Sequence, residues 1–266
     1  MGEINAMEKV IAALWAPPGE SREEYGARLL ETLPQALVSA GASRVRLNIR
    51  DATVAPGEAL VQQWQAPQQA AIAQFWIPSA NARFRGEVDA ALTAHSAWFA
   101  AWLVCESEII PNTAHPCSAN IAPEKRSEAE FSEAKHRAGE ANATRTWGWS
   151  QASFISFRPD IAHEAAIAHW HSHHTRVAIE TQANFEYVQN LIVRPLTEGA
   201  PAYSAFVEEC FPINALNEPE AFFDAVGNPE KFKANLDAMM DSCHAFLDFT
   251  RNDIIPSSQF DFAHLG

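Results

Sequence analysis

The densest chemistry in the chain is a run of histidines, His169-Trp170-His171-Ser172-His173-His174, with His163 shortly upstream. On a helix, His169 and His173 share a face at the i, i+4 spacing, which is half of a zinc site. No HExxH glutamate accompanies them and no third ligand is specified. A metal on His169 and His173 is therefore the lesser reading, beside one in which most of these rings lie on a solvated helix face. An imidazole near its solution pKa is also the natural proton shuttle at neutral pH. Arg158 ends an apolar stretch just before Pro159. Its guanidinium suits two-pronged binding of a substrate carboxylate, or an ion pair at the surface. The eight tryptophans fill a large core, line an aromatic ligand cavity, or both. No glycine-rich phosphate loop, dinucleotide fingerprint or G-x-S-x-G elbow occurs, so nucleotide chemistry and ordinary serine hydrolysis have no support.

Composition narrows the setting. The chain has 266 residues, 47% of them hydrophobic, enough for one large domain or two fused smaller ones. With 19 basic and 33 acidic side chains its formal charge is −14, which disfavours nucleic acid and anionic membranes as partners. No apolar run approaches a membrane span and the first residues lack a signal-peptide pattern. Cys105, Cys117, Cys210 and Cys243 show no CxxC spacing. A cytoplasmic protein with reduced thiols is expected.

The elements that must position these residues follow from changes of period. Strands are predicted at Lys9–Ala16, Arg44–Ile49 (alternating, with one wet face), Ala70–Ile77 and Trp98–Glu106. Helices are predicted from the Ser21/Glu24 capping box to Ser39, with a break or kink at Pro34, and over Arg83–His95. The second half repeats this order. Its strands are predicted at Trp149–Phe157, Phe185–Val193, Phe206–Phe211 and His244–Thr250. Its helices are predicted at Ala162–Glu180 and Pro219–Asp241, the latter broken at Gly227-Asn228-Pro229. Two echoes accompany the repeat. Val88–Pro111, ending VCESEIIP, matches Leu236–Pro256, ending FTRNDIIP, and AAIAQFWIPS (Ala70–Ser79) matches SAFVEECFPI (Ser204–Ile213). The expected fold is α+β, with two ferredoxin-like βαββαβ repeats at 1–111 and 147–266 joined by a polar arm at 112–146. The residues after Pro256 read as a tail whose Phe260 and Phe262 tuck into a groove.

Residues 162–193 resemble the EthD family, whose first helix carries an aromatic-Trp-x-x-x-His pattern and whose next strand begins near a Tyr. Here Trp170 and His174 hold that spacing, Tyr187 sits near the strand start, and the family's strand with a central Glu maps to Glu208. The resemblance implies a dimeric α+β barrel, here with both sheets supplied by one chain, so that a homodimer is not needed but stays open. The first half departs from the pattern, with Leu29, Leu33 and Gln74 at the positions of Trp170, His174 and Glu208. One working half and one structural half are expected.

Relatives by fold include cofactor-independent decarboxylases, cyclases and monooxygenases acting on aromatic compounds. The leading expectation is thus a lyase needing no cofactor, acting on a small hydrophobic, aromatic or phenolic molecule by decarboxylation, dehydration or retro-aldol cleavage. His174 would be the general acid/base and Glu208 its orienting group or partner acid, unless Glu208 merely pairs with Arg158 or Arg194. Tyr187 would anchor a phenol or carboxylate and Asn190 polarise a carbonyl, with Trp170 and Arg158 also binding substrate. Tyr187 and Asn190 are three apart on one strand, however, which places them on opposite faces. The alternatives are a non-catalytic carrier of an aromatic compound and a monooxygenase of the same fold.

Overall fold

The computed structural model describes residues 7–113, 144–262 and 265. Strand β1 (Glu8–Trp15) is apolar on both faces, and helix α1 (Arg22–Ser39) follows, started by a capping box in which Ser21 and Glu24 satisfy each other's backbone N–H. Next come β2 (Ser43–Ile49), β3 (Ala71–Ile77), α2 (Gly86–His95) and β4 (Trp98–Ile110). The second half supplies β5 (Thr144–Arg145), β6 (Trp149–Ile155), β7 (Glu186–Pro195), β8 (Ala205–Phe211) and β9 (Asp253–Asp261). Its two long helices are α3 (163–181) and α4 (Pro229–His244), with a short helical turn at Pro219–Phe222 between them. Helix α3 runs on through three segments, α-helical at His163–His169, a widened π turn at Trp170–His174, and α-helical again at Thr175–Thr181.

Every strand pairing is antiparallel. The order runs β2-β3-β1-β4-β7-β8-β6-β9, and β9 pairs back to β2 through Arg46–Ile49 and Ser258–Asp261, so eight strands close into a barrel. The first four strands and the last four thus have the same relative order, β2-β3-β1-β4 and β7-β8-β6-β9. The seams between the halves are β4–β7 and β2–β9. Short β5 pairs with β9 beyond the end of β6.

Closure divides the core into layers. Outside the first four strands, Tyr25, Leu29, Leu33 and Leu37 of α1 and Val88 and Leu92 of α2 bury Val45, Leu47, Ala73 and Phe75. Outside the last four, α3 and α4 cover Tyr187, Ala205 and Val207. Inside the barrel, Ile11, Ala13, Trp15, Trp102, Phe154 and Phe206 pack against one another at one end. A polar set fills the other end. The alternation of β2 belongs to this plan: Val45, Leu47 and Ile49 face the helices, while Arg46 and Asn48 face the barrel interior rather than solvent.

Several expectations change. Pro34 lies inside an uninterrupted α1. The last strand is Asp253–Asp261, not His244–Thr250, so Phe260 and Phe262 belong to strand-bound core rather than a tail. Pro256 is accommodated because β9 has β6 beside it there, while its pairing with β2 begins only at Ser258. The two Ile-Ile-Pro segments are consequently not equivalent, one ending β4 and the other opening β9. The break at Gly227-Asn228-Pro229 stands, since α4 begins at Pro229 with Asn228 as its cap. Most of the arm at 112–146 lies outside the described residues.

Candidate functional site

Two polar clusters hold the chemistry-bearing residues, one on each face of the second half's strands. The outer cluster lies under α3. Its π turn is closed by the Thr175 N–H donating to the Trp170 carbonyl five residues back, and the Thr175 hydroxyl donates to the same oxygen at 2.8 Å. In a regular helix residues five apart point away from each other. The widened turn instead brings both His169 and His174 onto Ser242 of α4, with His174 Nδ1 2.9 Å from Ser242 Oγ and His169 Nε2 3.3 Å from the same atom. His174 packs 4.8 Å from the Phe246 ring. Burial, with smaller contributions from His169 and His173, lowers its pKa to about 4, so at neutral pH it is an uncharged imidazole.

Beneath this turn, Tyr187 on β7 is cross-strand from Glu209 on β8, and both face outward. Gln189 Nε2 donates to Tyr187 Oη at 2.7 Å and to Thr175 Oγ1 at 2.8 Å, tying the sheet to the π turn. Burial, then the neighbouring Glu209, pushes the Tyr187 phenol well above its usual range. Burial also lifts Glu209 to about 7, only partly opposed by the 2.8 Å hydrogen bond from Asn184 Nδ2. Trp170 is buried in the same layer. Partly buried Ile109, Ile110, Ile167 and Leu191 give it an apolar rim.

The inner cluster holds Glu208. Fully buried, it accepts from Asn48 Nδ2 (2.5 Å), Gln74 Nε2 (2.8 Å), Gln259 Nε2 (2.9 Å), Ser150 Oγ (3.0 Å) and Arg46 Nη1 (3.3 Å). Burial alone would raise its pKa, but Arg46 and these donors more than offset that and hold it at about 2. Arg46 also reaches Glu186 at 2.7 Å. Glu208 is thus a locked carboxylate, on the opposite face from Tyr187 and bonded to neither His174, Arg158 nor Arg194.

The structure therefore places Tyr187 and Trp170 in one buried layer, holds His174 on Ser242 of α4, and sets Glu208 and Asn190 on the other face, toward the barrel interior. Arg158 is exposed, paired with Asp160 and donating to the His244 carbonyl at 2.8 Å. His169 and His173 lie with ring centroids 5.0 Å apart and their planes tilted by 43°, and among the described residues no three His, Cys, Asp or Glu side chains gather as a metal site. Glu209 was missed because the family pattern pointed to its neighbour. The alternation of β8 was the available signal: Ala205 and Val207 pack under α3 and Phe206 in the barrel, so 209 shares their outer face and 208 does not.

Eight antiparallel strands closed into a barrel, with helices packed outside each half, give the architecture of the dimeric α+β barrels. Within it, residues 158–250, which carry the outer cluster except for its apolar rim on β4, match the family model described as EthD domain. Among solved structures, the chain is similar in fold to an anthrone oxidase-like protein at 8% identity and a TM-score of 0.47, covering 98% of this chain and 92% of that one. It is likewise similar to a mutant chlorite dismutase from Candidatus Nitrospira defluvii at 11% identity and a TM-score of 0.40, covering 95% of this chain and 91% of that one. At such identities neither likeness speaks to chemistry. Among curated proteins, none matches the sequence. Among the described residues no helix is long and apolar enough to cross a membrane.

Proposed function

We propose that the chain is two ferredoxin-like βαββαβ repeats, 1–111 and 147–266, and that the second carries a cofactor-independent lyase site for a small aromatic or phenolic compound. The reading rests on the outer cluster: an uncharged His174 held by Ser242, and a buried Glu209 poised near neutrality beside Tyr187. Two titratable groups whose surroundings push their pKa values in opposite directions mark an acid and a base. Decarboxylation of a phenolic acid is the simplest reaction they serve. His174 takes the phenol proton while Tyr187 holds the phenolic oxygen by hydrogen bond. The bond to the carboxylate breaks, carbon dioxide leaves, and its electron pair stays on the ring carbon, which takes a proton from Glu209. Solvent then restores that proton and His174 returns its own to the phenolate. The rim of Ile109, Ile110, Ile167 and Leu191 suits a flat apolar body.

The test is product analysis by mass spectrometry against a panel of phenolic acids, with thermal shift as the measure of binding. Removing a general acid or base lowers turnover by about 10²–10⁴. His174→Ala and Glu209→Gln are each expected to lose turnover on that scale while keeping the ligand-induced rise in melting temperature. Undiminished turnover in both variants, or neither turnover nor a thermal shift with any member of the panel, would overturn the proposal.

A further inference from the structure

A second group of reactive side chains lies inside the barrel. Lys9 on β1 points inward with Ile11 and Ala13, is 5% exposed, and is ion-paired with Glu106 of β4, which is 31% exposed. In register with Lys9 on its other side is Trp76 of β3, whose ring centroid lies 4.8 Å from the amine. Directly across from Glu106 on β7 stands Asn190. It is 0% exposed, and neither atom of its side-chain amide has a hydrogen-bond partner among the described residues. Leaving a buried polar group unpaired is costly, so the unpaired Asn190 amide indicates a missing donor or acceptor beside it. Gln74 Oε1, on the same lining, is also unpaired.

The geometry points to Lys9 as a carbonyl-reactive amine, with the polar end of the barrel taking small aldehydes or ketones that carry a flat apolar group. This site is distinct from the one under α3. The Lys9 ammonium passes a proton to Glu106. The freed nitrogen lone pair attacks the carbonyl carbon, the displaced π pair goes to the oxygen held by Asn190, and a proton passes from nitrogen to that oxygen. Glu106 then returns its proton to the hydroxyl, which leaves as water, and a protonated imine remains. Trp76 covers the apolar group. Burial draws the Lys9 pKa down, against the upward pull of Glu106, and Arg46 adds to the lowering while Glu208 opposes it.

Benzaldehyde with sodium cyanoborohydride traps such an imine as a stable secondary amine, and peptide mass spectrometry locates it. Lys231 and Lys233, exposed and paired with Asp224 and Asp237, are internal references. Burial lowers the Lys9 pKa and so raises its free-amine fraction, and Lys9 is expected to label several times faster than either reference. Asn190→Ala should slow Lys9 labelling and leave the references unchanged, with the fold checked by circular dichroism. Lys9 labelling no faster than Lys231 and Lys233 in the unmodified protein would overturn the proposal without recourse to any variant. So would an Asn190→Ala protein that is folded and labels Lys9 as before.

Discussion

Replacing Glu209 by Gln should change the pH dependence of stability in one definite direction. The carboxyl is raised from an ordinary 4.5 to about 7 by burial. Below pH 4.5 it is protonated whether the chain is folded or not, and folding bears no ionisation cost. Between pH 4.5 and 7 the unfolded chain releases the proton and the folded one keeps it, so stability falls as pH rises. The full penalty, present above pH 7, is about 3 kcal/mol for this shift. Glutamine keeps the shape and the bond to Asn184 without the charge. The difference in unfolding free energy between Glu209→Gln and the parent, measured by urea denaturation, should therefore move by about 3 kcal/mol in favour of the variant between pH 4.5 and 7.5. His174 supplies the opposite slope. Its pKa falls from 6.5 to about 4, so its contribution to stability rises with pH across that window. In the parent the two slopes largely cancel between pH 4.5 and 6.5, and the variant should unmask the His174 slope. A difference that is constant with pH would show that Glu209 titrates as an ordinary carboxylate, and the acid role assigned to it would fall with that result.

Other perturbations separate structural residues from chemical ones. Glu208→Leu removes the carboxylate that Arg46, Asn48, Gln74 and Gln259 share as an acceptor and should cost about 3–5 kcal/mol in urea denaturation. The fraction that stays folded should retain its turnover. Deleting Ser172 removes the extra residue of the π turn; far-UV circular dichroism should stay unchanged while His174, read by NMR titration, returns toward 6.5 and turnover is lost. Gly148→Ala places a methyl 2.0 Å from the Phe211 carbonyl at a φ of +76° and should lower the melting temperature, with a cost of about 1–3 kcal/mol or more. Ser21→Ala removes the acceptor of the α1 capping box and should cost about 1 kcal/mol.

The order of elements, all but the last strand of the second half, was legible because apolar runs, capping residues and glycines all gave the same reading. The Ser21/Glu24 box and the Pro229 helix start sit where local chemistry alone requires them. What failed to show was whatever depended on closure. A strand such as β2 looks half-solvated by its alternation, yet both faces are covered, and only the return of β9 to β2 makes its polar face an interior. The same return turned an apparent tail into a strand, because a proline at position 256 reads as a stop unless the side it leaves unbonded is known. The π turn was invisible for a related reason. A residue inserted into a helix leaves the periodicity on either side intact and changes only the phase between them, and that phase decided which histidines met Ser242.

The two halves also explain why chemistry gathers on one side. Where α1 presents Leu29 and Leu33 to the outer face of the first strands, the layer is apolar and fully packed. The second half instead has buried Gln189, Tyr187 and Glu209 on its outer face and half-buried His174 on α3, and the hydrogen bonds to His174, Tyr187 and Glu209 come from neutral side chains. Inside the barrel the residues at matching positions of the two halves, Gln74 and Glu208, meet directly at 2.8 Å. There Gln74 contributes a donor that helps keep Glu208 ionised, which a second glutamate could not do, since two adjacent carboxylates would drive one to protonate. The difference at this one pair therefore stabilises the barrel. The difference under the helices leaves the buried Tyr187 and Glu209 on the outer face of the second half alone.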